Sequence, residues 1–140
     1  MGVPMAYVIK AEIRDPAAKV FEFTAQKTMY GGRHIGVGDH LFLFASENEG
    51  GSGLVGRGVV TRTEAIPRAL DVARQTPLVS VTVERISRSR RPLGRAELKA
   101  FDRCDDGRPE TELKFKLYRQ ATNKIVGISE AAAKLLQRLF

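Results

Sequence analysis

At 140 residues, 43% of them hydrophobic and with a net charge of +7, the chain is long enough for one domain (1–140) with one core and too short for two. No run approaches about eighteen consecutive apolar residues, and "MGVPMAYVIKAE" has no charged segment leading into an apolar stretch and a cleavage site, so a soluble cytoplasmic protein with no membrane partner is expected. Cys104, the single cysteine, lies in the polar turn "DRCDDG" and excludes an internal disulfide.

The first element is a strand, "AYVIKAEI", Ala6 to Ile13. Lys10 and Glu12 lie two apart on it, so they share a face and either line a cavity mouth or form a surface ion pair. Asp15 then offers an N-cap and Pro16 a first helical position, which predicts a short helix towards Gln26, although the alternation in "VFEF" suits a strand equally. Glycine turns at Gly31, Gly32, Gly36 and Gly38 bracket His34 and Ile35, with Asp39 as a turn residue bonding its own backbone, before a second strand from Leu41 to Ala45.

The next stretch, "GGSGLVGRGVV", contains G-x-G-x-x-G at Gly51, Gly53 and Gly56. A dinucleotide site would need a helix opening at the last glycine. Here Leu54 to Thr63 alternates as a strand instead, so the glycines belong to a hairpin loop and a strand, and no dinucleotide or other cofactor is expected. "PRALDVARQ", Pro67 to Gln75, reads as a short helix or an irregular crossing. "PLVSVTVERI" is the cleanest alternating strand, "SRSRRPLGR" a basic turn, and "ETELKFKLYRQ" a further strand with Leu113, Phe115 and Leu117 inward. "ISEAAAKLLQRLF" closes the chain with a helix capped by Ser129, carrying Glu130 in its first turn. The fold class is α+β, predominantly β: five or six strands of a mixed sheet curled into a barrel, with small flanking helices.

The charge is concentrated. Nine arginines and three acidic residues lie between Arg57 and Arg95, an excess of six. The forked guanidinium suits phosphate, so the block fits a nucleic-acid partner, RNA or DNA; a solvated basic surface is the plainer reading. Arg88, Arg90, Arg91 and Arg95 of the basic turn are the candidate phosphate contacts. His34 and His40 have no compact metal-ligand spacing with Cys104 or Asp39, and no catalytic residues are assigned.

Three segments, in order, resemble the PUA-like superfamily and above all its EVE branch. "AYVIKAEI" matches at Lys10 and Glu12, with Tyr7 where tryptophan is usual. "VGDHLFLFAS" matches at Gly38, Asp39, Phe42, Phe44 and Ser46, and "LVGRGVV" resembles the glycine-spaced strand that follows. The resemblance implies a pseudobarrel of five or six strands and a nucleic-acid-binding module that holds an extruded, modified base by stacking and edge hydrogen bonds. The pocket it implies draws on Lys10, Tyr30, Arg33, Phe44 and Ser46. The chain has no tryptophan, and "QKTMYGGRHI" offers Tyr30 as its one aromatic. The same stretch partly resembles the ASCH branch, matching at Lys27 while Tyr30 replaces a glutamate and Arg33 is displaced by one, which implies the alternative of a small enzyme acting on RNA or a nucleotide.

Overall fold

The structure is a computed structural model that describes residues 6–66, 78–101, 106–119 and 123–140. Six strands, β1 (Ala6–Ala11), β2 (Val20–Met29), β3 (His40–Ala45), β4 (Gly53–Ile66), β5 (Leu78–Arg88) and β6 (Lys124–Ile128), close a barrel in the order β1-β3-β4-β5-β2-β6. The pairs β1/β3 and β2/β6 are parallel and the other four antiparallel. Among the described residues three α-helices, α1 (Arg95–Leu98), α2 (Pro109–Tyr118) and α3 (Glu130–Gln137), flank the barrel.

Alternation along the strands sorts the apolar residues into two cores. Tyr7, Ile9, Leu41, Leu43, Val60, Val81, Val83 and Ile125 fill the lumen. Val8, Phe42, Phe44, Val126 and Ile128 point outward and are covered by Leu98, Leu113, Leu117, Ala132 and Leu136 of the helices. β1 is therefore buried along its whole length. Space dictates glycine at positions 53 and 58 of β4: a Cβ on Gly58 would come within 2.5 Å of the Glu84 carbonyl oxygen, and one on Gly53, at φ +88°, within 2.5 Å of that of Leu93.

Two expectations are corrected. The helix from Pro16 towards Gln26 is not formed. The Asp15 side chain accepts from the Ala17 amide at 3.0 Å and closes one turn, after which Phe21 and Phe23 pair with Val83 and Val81 and stack on each other at 6.0 Å. "ETELKFKLYRQ" is not a strand but α2: Pro109 and two glutamates favour a helix start, and Leu113 and Leu117, four apart, are fully buried while Phe115 is 38% exposed. The terminal helix forms as expected, its Ser129 hydroxyl accepting from the Ala132 amide at 3.2 Å. The reading of Pro67 to Gln75 and the turn at Cys104 lie outside the described residues.

The two faces of α2 carry a test. Leu117→Ala opens a hole in the layer between barrel and helix and is expected to cost about 2 to 5 kcal/mol, whereas Phe115→Ala should cost about 1 kcal/mol or less. Urea unfolding of both variants measures the difference.

Candidate functional site

β6 begins late. Its first residue, Lys124, lies opposite Lys10 of β1 on one side and Lys27 of β2 on the other. Beyond that level β2 continues to Val20 paired with β5, while β1 ends at Ala11, so the two strands flanking β6 part. A cavity of about 560 Å³ opens there, lined by Ala11 at the end of β1 and Glu12 after it, by Glu22 to Lys27 of β2, and by Glu49 and Asn123. β2 is bulged between Phe23 and Gln26, and Ala25 takes φ +51°, its amide held by the Ser80 hydroxyl at 2.8 Å. A non-glycine residue in the left-handed region is strained, and this one bends the cavity wall.

Behind the cavity lies a buried polar scaffold. Lys10 and Lys124 are each 1% exposed and face the same side. The Lys10 ammonium donates to the Leu117 carbonyl oxygen at 2.6 Å, at the carboxyl end of α2, and lies 4.8 Å from the centre of the Tyr118 ring. Tyr118 donates its hydroxyl to the Glu47 carboxylate, with oxygens at 3.0 and 3.1 Å, and Glu47 accepts the Arg95 amide at 2.7 Å. Arg95 reaches Asn48 at 2.8 Å and stands over the other side of this group, 5.8 Å from the Tyr118 ring centre. Burial holds the Lys10 ammonium below its ordinary pKa, against the pull of Glu47. It does the same to Lys124, with repulsion from Lys10 added. Tyr118 is pushed up by burial and by Glu47. Ser46 is buried, and its hydroxyl has no partner among the described residues.

The residues singled out in the sequence scatter. Lys10 and Ser46 lie at this end of the barrel, beside the cavity. Glu12 lines the cavity but pairs with Arg14 at 2.7 Å rather than with Lys10. Phe44 is 0% exposed in the layer beneath the helices, where its ring is core. Tyr30 and Arg33 lie past the other end of the β2/β6 pairing, exposed and away from the cavity. Arg88 ends β5, the Arg90 and Arg91 amides donate to the Leu139 carbonyl, and Arg95 starts α1, so the four form an arc rather than one tight turn. Arg88, Arg90 and Arg91 are exposed at the barrel end that carries the cavity. Sequence reasoning missed Glu47, Tyr118 and Lys124. Lys124 alone left a signal, a charge opening the apolar run "KIVGI".

No family model and no curated protein matches the chain. Solved structures do. The DUF55 domain of human thymocyte nuclear protein 1 superposes with a TM-score of 0.63 at 15% identity, over 96% of this chain and 97% of that one. Human THYN1 in complex with 5-methylcytosine-containing DNA gives 0.64 at 17%, over 96% of each chain. The chain has the fold of this DUF55 domain, the pseudobarrel that the resemblance to EVE-type PUA-like domains implies. The barrel also superposes on Rpa0253 from Rhodopseudomonas palustris, with a TM-score of 0.59 and 20% identity over 96% of this chain and 92% of that one. No helix among the described residues is long and apolar enough to cross a membrane.

The lysine pair predicts a pH dependence. A lysine whose folded pKa is depressed is deprotonated in the folded state while the unfolded chain still holds the proton, so stability rises with pH between the folded value and the ordinary value of about 10.4. Relative to Lys124→Met, the wild-type protein should gain stability with rising pH over the alkaline values that approach the ordinary lysine pKa of about 10.4. Urea unfolding at these pH values checks it, and a difference independent of pH would contradict it.

Proposed function

We propose that this chain is a nucleic-acid-binding module that takes an unpaired, modified base into the cavity between β1 and β2, with Arg88, Arg90, Arg91 and Arg95 on the flanking phosphates. The observation that carries the reading is the cavity's chemistry. Glu12, Glu22 and Glu49 line it in a chain that is otherwise strongly basic. Carboxylates repel phosphate and accept hydrogen bonds from the exocyclic amine of cytosine or adenine. Gln26 and Lys27 add donors, and the apolar Phe23 adds a wall. The backbone of the nucleic acid then belongs outside, on the exposed arginines at the same end of the barrel. The likeness in fold to THYN1, solved with 5-methylcytosine-containing DNA, supports the choice of a modified cytosine as the first base to try. Lys10 and Ser46 act from behind the wall: Lys10 fixes the end of α2, and the unpartnered Ser46 hydroxyl belongs to the residue before Glu47. Phe44 supports the wall from the core.

A second reading has one observation in its favour. Lys27, the residue shared with the ASCH branch, lines the same cavity as Glu12 and Glu22, and a lysine among carboxylates can serve acid–base chemistry on RNA or a nucleotide. Sustained cleavage of labelled RNA that is lost in Lys27→Ala would select it.

Titrations with plain and 5-methylcytosine oligonucleotides, DNA and RNA, at several salt concentrations test the first reading. The triple variant Arg88→Ala, Arg90→Ala, Arg91→Ala should flatten the dependence of log affinity on log salt by about one for each arginine–phosphate pair removed, with base preference kept. Glu22→Ala and Gln26→Ala should instead reduce discrimination between bases by about 1 to 3 kcal/mol at an unchanged salt slope. A wild-type protein without salt-dependent binding to any of these oligonucleotides would overturn the proposal.

A further inference from the structure

Two of the aromatic rings most open to solvent among the described residues stand together. Tyr30 is 41% exposed and Phe115 38%. Tyr30 follows the last residue of β2 and Phe115 lies on the outer side of α2, and the rings meet edge to face with centroids 6.2 Å apart at 63°. Such a pair on a surface leaves apolar area that burial would normally remove.

The backbone at Tyr30 is itself unusual. Tyr30 takes φ +52° and Gly31 φ +83°, two left-handed residues in succession that turn the chain out of β2. A glycine at position 30 would make this turn without strain, so what the tyrosine adds is its ring. Ala25 at the cavity and Tyr30 here are the described non-glycine residues with positive φ. Each marks one of two openings along β2, and the stretch Lys27 to Met29, paired with β6, separates them.

The second opening has a volume of about 280 Å³ between Tyr30, Phe115, Arg108, Thr111 and Lys116. Its charge is cationic. The Lys116 ammonium lies 5.0 Å from the Tyr30 ring centre, and the Arg119 guanidinium 5.2 Å from that of Phe115. Arg108 lines the opening, and Arg33 follows Tyr30 by three residues, exposed. Among the described residues the acid that lines it is Glu112, whose carboxylate already accepts from Lys116 at 3.1 Å, from the Ser129 amide at 2.8 Å and from the Ser129 hydroxyl. Aromatic rings flanked by guanidinium groups are what successive bases of a single strand stack on, with their phosphates on the cations.

We propose that the Tyr30–Phe115 cleft is a second, sequence-tolerant stacking site for an unpaired base of the same strand whose modified base enters the cavity, with Arg33, Arg108 and Arg119 on its phosphates. The proposal rests on the nucleic-acid reading above. It predicts that the protein binds single-stranded or gapped substrates more tightly than a closed duplex carrying the same modification.

The test uses the full chain with oligothymidine and with a 5-methylcytosine oligonucleotide, followed by fluorescence anisotropy. Tyr30→Ala and Phe115→Ala should each weaken binding to both by about 5- to 100-fold, while the ratio of affinities for modified and plain oligonucleotides stays the same. The chain has no tryptophan, so Tyr30→Trp places a single reporter in the cleft, and its emission should be quenched as oligothymidine binds. Wild-type binding with modified-base preference, undiminished in both alanine variants and silent in the tryptophan reporter, would overturn this inference and leave the cavity reading standing. Absence of any wild-type binding would overturn both. A urea midpoint for Phe115→Ala close to that of the wild type guards against loss of fold.

Discussion

An ammonium group buried between a barrel strand and the carboxyl end of a helix is the contact on which this site depends. Lys10 donates to the Leu117 carbonyl from a position almost closed to water, with Lys124 directly across the strand pair. Removing two like charges from solvent is costly, and an apolar pair of similar volume would be easier to bury. The cost is offset in part by the negative end of α2, by the face of Tyr118 and by Glu47. In return the contact fixes where α2 stops. Tyr118 is thereby aimed at Glu47, and Glu47 receives the amide of Arg95. One buried charge thus ties the last turn of a helix, the loop after β3 and the start of α1 into a single support.

That support stands beside a break in the barrel. Because β6 starts only at Lys124, the strands flanking it part beyond that level, and the bulge at Ala25 widens the gap. Closed barrels of this size are filled by their own side chains. Here the lumen is filled by Ile9, Leu43, Val81 and their neighbours, so the open space lies at the parting of the wall rather than down the axis. The arrangement separates two electrostatic tasks. Carboxylates at the opening favour donors on a base edge, and arginines outside favour phosphate.

Much of the architecture is legible in the residues because period-two alternation is a direct image of a two-sided sheet. β3, β4 and β5 follow from it, as does the helix after Ser129 from its cap and its leucine spacing. α2 departs from the alternation rule for an instructive reason: Leu113, Phe115 and Leu117 alternate, yet Leu113 and Leu117 also lie one helical turn apart, and the proline and glutamates before them decide the matter. The site is less legible. Lys10 and Ser46 are singled out through the resemblance, because the strand that carries one and the segment that ends in the other keep its pattern. Tyr30 and Phe44 cannot be told apart by sequence, since burial depends on what the helical layer covers: it leaves Tyr30 outside and closes over Phe44. Glu47 and Tyr118 are 71 positions apart and meet only through the fold.

A structure of the protein with a short oligonucleotide containing one 5-methylcytosine would show where the base goes. The modified base is expected turned out of its strand into the opening between Ala11 and Ala25, its amine towards a glutamate of the lining, with Lys10 still bonded to Leu117. A bound oligonucleotide whose bases all remain stacked outside, leaving that opening empty, would contradict it.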